Sequence, residues 1–170
     1  QRDGFHHLYL YNKEGQLIKQ LTQGDWLVQD ILGFNTARKE MIIASTEISP
    51  LQTNIFSLNV KTGKRTLLGQ QDGTHSARLS ASGTYLIDNF TSFNVHREIS
   101  ILPTNGKTGV NLLTATDPMK EQYNLPEITL GTIKAADGKT DLYYRLIKPV
   151  NFDPNKKYPT IIYVYGGPHA

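Results

Sequence analysis

Alternating apolar and polar positions recur along the first two thirds of the chain. Three stretches share one pattern, in which an alternating strand is followed by a polar turn with glycine and a second strand: HLYLYNKEGQLIKQLT (7–22), NIFSLNVKTGKRTLLG (54–69) and EISILPTNGKTGVNLLT (98–114). Alternation of this kind is typical of half-buried β-strands. The pattern therefore predicts three β-hairpins, with turns at Gly15, Gly63 and Gly109 that lie 48 and 46 residues apart.

A second repeated pattern lies between these hairpins. VQDILGFNTARKEMIIAST (28–46) and HSARLSASGTYLIDNFTS (75–92) each predict a strand, a short turn and a strand, with turns about 45 residues apart. Four short strands per repeat at this period match the blades of a β-propeller. A simple β-sandwich also contains hairpins, but it would not repeat so regularly. We therefore expect two to three antiparallel four-stranded blades within residues 1–116.

Two features predict that the chain is a piece of a longer protein. Propellers usually close with about four to eight blades, and an open stack of fewer would leave unpaired strand edges. At the other end, the run from Ile161 to Tyr165 does not alternate and is rich in β-branched and aromatic residues, which is typical of a strand covered on both faces. Such a strand needs neighbours on both sides.

The pattern changes near residue 117. DPMKEQYNLPE (117–127) is polar, contains two prolines and predicts a linker with one helical turn. ITLGTIKAADGKTDLYYRLIKP (128–149) predicts two strands joined around Asp137 and Gly138, and VNFDPNKKYP (150–159) predicts a connector. We place a domain boundary after residue 123, so that residues 1–123 form a partial propeller and residues 124–170 begin a second domain.

Composition and charge exclude several classes of protein. Hydrophobic residues make up 38% of the chain and charged residues 19%, which is enough apolar material for a globular core. The net charge of +3 is small and the basic residues are scattered, so no nucleic-acid partner is expected. No apolar run reaches the roughly 18 residues of a membrane span. The absence of cysteine excludes disulfides and thiolate metal sites.

The histidines suggest no metal site. His6 and His7 are adjacent on a predicted strand and would point to opposite faces. His75, His96 and His169 have no acidic or histidine partner at the spacing of metal ligands. Trp26 is expected to pack between strands, and the glycosylation sequon Asn89-Phe90-Thr91 falls within a predicted strand, where we read it as chance.

The order of these segments resembles the prolyl oligopeptidase family of serine peptidases and, within it, the dipeptidyl peptidase IV branch. The resemblance lies in propeller repeats, a linker, a hairpin, the motif Pro-x-x-Phe-Asp-Pro-x-Lys-Lys-Tyr-Pro (149–159), an apolar strand and Tyr-Gly-Gly-Pro (165–168). HLYLYNKEGQLIKQLT, GTIKAADGKTDLYY and FDPNKKYPTIIYVYGGPHA are also similar to the bacterial prolyl tripeptidyl aminopeptidases of this branch. The resemblance is strongest over residues 127–170.

The resemblance implies a mainly β fold, namely the C-terminal blades of a β-propeller followed by the first strands of an α/β-hydrolase catalytic domain. It implies that Tyr165 is catalytic, as a donor in the oxyanion hole, and that Gly166 and Gly167 form the turn beneath the substrate. The chain contains no Gly-x-Ser-x-Gly motif, so the catalytic Ser, Asp and His would lie outside it and the chain alone should be inactive. The paired glutamates that bind the substrate's amino group in this family would precede residue 1.

The implied activity is the release of di- or tripeptides that contain proline from the N-termini of polypeptides. Peptides are then the expected partners, no cofactor is expected, and the full-length protein would be periplasmic or secreted and homodimeric. The alternatives are an acylaminoacyl peptidase or oligopeptidase of the same family, or a non-enzymatic propeller binding protein with a degenerate hydrolase domain.

Overall fold

The computed structural model describes residues 2–70, 72–93 and 95–164. The chain divides into two units, Gln1–Thr116 and Asp117–Ala170. The first unit contains ten strands: β1 (Tyr9–Tyr11), β2 (Leu17–Gln20), β3 (Val28–Asn35), β4 (Glu40–Ser45), β5 (Asn54–Asn59), β6 (Arg65–Leu68), β7 (Thr74–Leu79), β8 (Tyr85–Thr91), β9 (Glu98–Pro103) and β10 (Val110–Thr114). The second contains α1 (Pro118–Gln122), β11 (Ile128–Lys134) and β12 (Asp141–Ile147).

The ten strands of the first unit form one ribbon and two four-stranded sheets. The ribbon pairs β1 with β2, the first sheet has the order β3-β4-β5-β6, and the second sheet has the order β7-β8-β9-β10. Every pairing is antiparallel. Each predicted strand pair and the hairpin that follows it are therefore the two halves of one sheet, which confirms the predicted four-stranded repeat.

One of the predicted hairpin turns is placed wrongly. Gly15 and Gly63 have φ angles of 79° and 77°, in the left-handed region that glycine enters most readily. In the third hairpin that conformation belongs to Gly106, at a φ of 77°, and not to Gly109. Gly109 is instead a point of close approach, because a Cβ atom there would lie 2.5 Å from the carbonyl oxygen of Ile101.

The core of the first unit lies on both sides of the first sheet. Alternate residues of β4 point to opposite faces. Ile43 belongs to the cluster on the face of the sheet that is turned toward the ribbon, together with Leu21, Val28, Met41, Phe56 and Leu58. Ile42 belongs to a cluster that reaches the second sheet: Ala44, Ile55, Leu68, Leu86 and Leu102. Both isoleucines are fully buried, and burying each side chain stabilises the fold by about 1.5–3 kcal/mol.

The second unit begins with the single helical turn that the sequence predicts. The side chain of Asp117 caps α1 by accepting a hydrogen bond from the Met119 backbone N–H at 3.1 Å, and Pro118 occupies the first turn. Strands β11 and β12 then pair in full register from Ile128 opposite Ile147 to Lys134 opposite Asp141. The boundary that we predict after residue 123 remains a prediction.

The strand predicted from Ile161 to Tyr165 is not formed in the part of the chain that the structure describes. Residues 161–164 have no strand conformation, and their side chains are between 82% and 96% exposed. A strand is stable only when a neighbouring strand accepts its hydrogen bonds. None of the strands in the described ranges pairs with this segment. Within those ranges, no helix is long and apolar enough to cross a membrane.

Candidate functional site

The residues predicted to take part in catalysis lie just beyond the described part of the second unit. Tyr165, Gly166 and Gly167 are outside the described residues, which reach Val164 at this end. The structure does describe Lys148, which directly follows β12, and the connector (150–159) that precedes the segment leading to Tyr165. The conformation of this connector fixes where that segment begins.

An ion pair at the open end of the hairpin, opposite its turn, directly precedes the connector. The Lys148 backbone N–H donates to the carbonyl of Glu127 at 3.0 Å, and the Lys148 ammonium lies 3.0 Å from the Glu127 carboxylate. The same ammonium lies 5.4 Å from the centre of the Phe152 ring. Lys148 therefore links the end of the hairpin to the first aromatic residue of the connector.

The Phe-Asp-Pro motif then folds into a compact turn. Asp153 accepts hydrogen bonds from the backbone of Asn155, at its carboxylate, and of Lys156, at its carbonyl, both at 3.0 Å. The Asp153 N–H donates to the Tyr158 hydroxyl at 3.0 Å, and the rings of Phe152 and Tyr158 lie 5.3 Å apart. The motif on which the family resemblance rests most strongly is therefore a self-contained turn that ends directly before Pro159.

His7 has a structural role at the start of the first unit. Its Nε2 atom lies 2.9 Å from the Gly24 carbonyl and its Nδ1 atom lies 3.1 Å from the Thr22 hydroxyl. The ring also packs perpendicular to the ring of Trp26, at a centroid distance of 5.0 Å. His6 is exposed and lines an open groove beside the start of β3. The two histidines therefore do not act as a pair.

Trp26 packs against the core, as the sequence predicts. It lies on the cluster around Ile43, with the Arg65 guanidinium 5.1 Å from its ring centre. Arg65 makes two hydrogen bonds of 2.7 Å to the carboxylate of Glu47. This arrangement connects the loop before β3 to β6 at the other edge of the first sheet.

His75 has an acidic partner, although no such residue stands at metal-ligand spacing in the sequence. His75 is buried, and its Nδ1 atom lies 2.7 Å from Oδ2 of Asp88. The two residues are 13 positions apart, but β7 and β8 are antiparallel and His75 lies opposite Phe90. Asp88 is two residues from Phe90 and therefore on the same face. The strand–turn–strand pattern over residues 75–92 already places His75 and Asp88 on facing strands, and this is the signal that could have revealed the pair.

The first residue of the glycosylation sequon has a local structural role. Asn89, the first residue of the sequon, lies in β8 and its side-chain oxygen accepts a hydrogen bond of 2.7 Å from Arg97. Across the ranges that the structure describes, no group of three or more His, Asp or Glu side chains is placed to hold a metal ion. The contact between His75 and Asp88 is the feature of the described structure that the sequence did not predict.

The fold and the sequence together define the family. A model of the dipeptidyl peptidase IV (DPP IV) N-terminal region matches residues 1–97, and the chain therefore belongs to the dipeptidyl peptidase IV family. Its two four-stranded sheets are blades of the family's β-propeller.

Particular relatives extend the similarity to nearly the whole chain. The dipeptidyl peptidase 4 of Arthroderma otae is 34% identical over 98% of this chain, and that of Trichophyton equinum is 31% identical over 98%. Among solved structures, a candidate dipeptidyl aminopeptidase IV from Bacteroides ovatus is 46% identical over the whole chain, with a TM-score of 0.89. Porphyromonas gingivalis dipeptidyl peptidase 4 is 28% identical over 93%, with a TM-score of 0.78.

The chain corresponds to a limited part of these proteins. It spans 22% of the length of both curated relatives, 27% of the Bacteroides protein and 22% of the Porphyromonas protein.

Proposed function

We propose that this chain is part of a serine-type exopeptidase that releases di- or tripeptides containing proline from the N-termini of polypeptides. The observation that carries the proposal is the similarity to dipeptidyl peptidases 4 across 98% of the chain, at 31–34% identity. That similarity includes the second unit as well as the blades. It therefore supports a peptidase more strongly than similarity to propeller blades alone would.

In this proposal the reaction is acyl transfer to a serine. A Ser outside this chain attacks the carbonyl carbon of the proline residue, and a His, oriented by an Asp, accepts the serine proton. The His returns this proton to the amine that leaves, and water then hydrolyses the acyl-enzyme to release the peptide. Negative charge develops on the carbonyl oxygen. Tyr165 contributes its phenol O–H as a neutral hydrogen-bond donor to that oxygen, and such a donor acts most strongly where water is excluded. Gly166 and Gly167 let the backbone turn closely beneath the substrate.

The connector has a positioning role in this proposal. Its turn, closed by the hydrogen bond between Asp153 and Tyr158, is only seven residues before Tyr165 and sets the starting point of the segment that carries it. The blades limit access to short or unfolded peptide ends. A periplasmic or secreted location and a homodimeric full-length protein complete the proposal.

The test compares this chain with the full-length protein on chromogenic Ala-Ala-Pro and Gly-Pro substrates. We expect turnover by the full-length protein and none by residues 1–170, because the chain has no Gly-x-Ser-x-Gly nucleophile motif. The matched control is the full-length protein with its elbow serine replaced by alanine. Turnover by the isolated chain, or by the alanine variant, would contradict the proposed mechanism. The ratio of the two substrates decides between dipeptide and tripeptide release.

A further inference from the structure

The His75 ring lies between two hydrogen-bond acceptors. Its Nδ1 atom is 2.7 Å from Oδ2 of Asp88, and its Nε2 atom is 2.9 Å from the backbone carbonyl oxygen of Gln70. A backbone carbonyl only accepts, and so does an ionised carboxylate. A neutral imidazole has one N–H and could satisfy only one of these contacts. The ring donates to both only as an imidazolium.

His7 provides the contrast within the same molecule. Its Nε2 atom faces the Gly24 carbonyl, but its Nδ1 atom faces the Thr22 hydroxyl, which can donate. A neutral ring therefore satisfies both contacts of His7. The two rings therefore differ in the number of N–H groups that their contacts require, one for His7 and two for His75.

The alternative location for the proton is Asp88, which could then donate to a neutral His75. In that arrangement Nδ1 of the ring carries no proton, whereas in an imidazolium both ring nitrogens carry one. Both side chains are buried, and in the described ranges the Asp88 carboxylate has no hydrogen-bond partner besides His75. A buried carboxylate requires a neighbouring positive charge, and the His75 ring is placed to supply it.

The pair lies where the chain passes from the first sheet to the second. Gln70 belongs to the connection between β6 and β7, and its side-chain amide also donates to the Glu98 carboxylate at 2.7 Å. The His75 backbone N–H donates to the Thr53 carbonyl, directly before β5, at 2.8 Å. The His75 ring also packs on Phe90, at a centroid distance of 4.9 Å. One residue thus contacts the connection, the second sheet and the first.

We propose that His75 is an imidazolium that acts as a latch: its Nδ1–H pairs with Asp88, and its Nε2–H binds the Gln70 carbonyl and so holds the connection between the two blades against the second sheet. Removing one partner of a buried ion pair leaves the other charge uncompensated and destabilises the surrounding structure. Opening of the latch should therefore expose the backbone hydrogen bond between His75 and Thr53 to solvent.

The protonation state can be read directly from ¹⁵N spectra of this chain labelled at histidine, recorded near pH 7. The His75 signals are assigned by their loss in His75→Gln. We expect both ring nitrogens of His75 to show the chemical shifts and one-bond N–H couplings of an imidazolium. A spectrum with one unprotonated nitrogen, as in a neutral tautomer, would overturn the proposal. This measurement is made on the wild-type chain and does not depend on any variant folding.

The latch itself is tested by hydrogen exchange in Asp88→Asn, with Glu98→Gln as the matched control. Asp88→Asn removes the charge that pairs with the ring, so His75 should become neutral and its backbone amide should exchange at least tenfold faster. Glu98→Gln removes a nearby charge that does not touch the ring, so His75 should stay protonated. If Asp88→Asn left both the ring signals and the amide exchange unchanged, the ion pair would not be a latch.

Discussion

Asn35 and Thr104 are 69 residues apart in the chain, yet their side chains share a buried hydrogen bond of 3.1 Å. The Asn35 amide donates to the Thr104 hydroxyl, which in turn donates to the Gly83 carbonyl at 2.9 Å. The two side chains are only 2% and 1% exposed. The hydroxyl therefore ties the end of β3 in the first sheet to the turn and strand ends of the second.

Replacing Thr104 by Val keeps the shape of the side chain and removes this hydroxyl. The Asn35 amide and the Gly83 carbonyl would lose a buried partner, at a cost of about 1–3 kcal/mol in the free energy of unfolding. Urea unfolding followed by circular dichroism measures this loss. Thr104→Ser is the control, since it retains the hydroxyl and loses only a methyl group, which costs about 0.8 kcal/mol. Equal stability of Thr104→Val and wild type would show that the hydrogen bond contributes nothing.

Arg65→Lys tests the contact between Arg65, Glu47 and Trp26. Lysine keeps the charge but cannot make the paired hydrogen bonds to Glu47 or stack its plane on the indole. The Arg65 and Glu47 side chains are 26% and 24% exposed, so we expect a screened loss of only about 1 kcal/mol in unfolding free energy. Trp26 is the sole tryptophan, and its fluorescence emission should shift to longer wavelength. The neighbouring exposed variant Lys64→Arg should change neither quantity.

Asp137 should make the hairpin of β11 and β12 sensitive to acid. The Thr140 hydroxyl and the backbone N–H groups of Lys139 and Thr140 hydrogen-bond to its carboxylate and hold its pKa below the ordinary value of 3.8. A carboxylate with a lowered pKa stabilises the folded state above its ordinary pKa, and this contribution is lost as the pH falls through the lowered value.

The measurement is amide protection in the hairpin as the pH is lowered. Protection should fall in acid in the wild-type chain, because protonation weakens the three hydrogen bonds that Asp137 accepts. In Asp137→Asn the side chain has no charge to lose, so this component of the acid dependence should be absent. An identical pH profile for the two chains would assign the acid sensitivity to other groups.

Tyr165→Phe tests the proposed catalytic role and must be made in the full-length protein. The change keeps the ring and deletes the hydroxyl, so the turnover number should fall by about 10²–10³-fold if the hydroxyl binds the developing oxyanion. The Michaelis constant and the melting temperature should change little, because the donor acts mainly in the transition state.

Tyr158→Phe is the matched control for Tyr165→Phe. It also deletes one phenol hydroxyl, but that hydroxyl accepts a hydrogen bond from the backbone of Asp153 and has no predicted contact with substrate. Because this hydrogen bond closes the turn that positions the segment of Tyr165, turnover should fall in this variant, but by less than in Tyr165→Phe, where the donor itself is lost. If Tyr165→Phe retained more than about a third of wild-type turnover, against the losses typical of an oxyanion donor, Tyr165 would not belong to the oxyanion hole.

The sequence predicts the strands of the first unit well because each depends on local information. Alternation sets the face of each residue, and the glycines at positions 15 and 63 mark turns that require a positive φ. The error at Gly109 arises because glycine also serves close backbone approach, and the two uses look alike in a sequence. Assigning the turn to Gly106 requires knowing that the backbone of Ile101 lies against Gly109, which explains the glycine at position 109 without a turn there.

Longer-range features were harder to predict. The His75–Asp88 pair is not visible at metal-ligand spacing, because the two residues meet only across the antiparallel register of β7 and β8. The strand expected at Ile161 depends on partner strands, which local composition cannot supply. The role of Tyr165 stands on family resemblance alone, since nothing in its immediate sequence separates an oxyanion donor from a core aromatic residue. It remains a prediction.

The burial of β4 on both faces has a consequence for how the first unit comes apart. Since Ile42 and Ile43 belong to different clusters, displacing this one strand removes contacts from both at once. Neighbouring repeats that pack on the two faces of one strand in this way lose their independence, and their stabilities cannot be assigned blade by blade. The ribbon and the two sheets should therefore melt in a single cooperative transition, and damage at either outer layer is transmitted through the middle one.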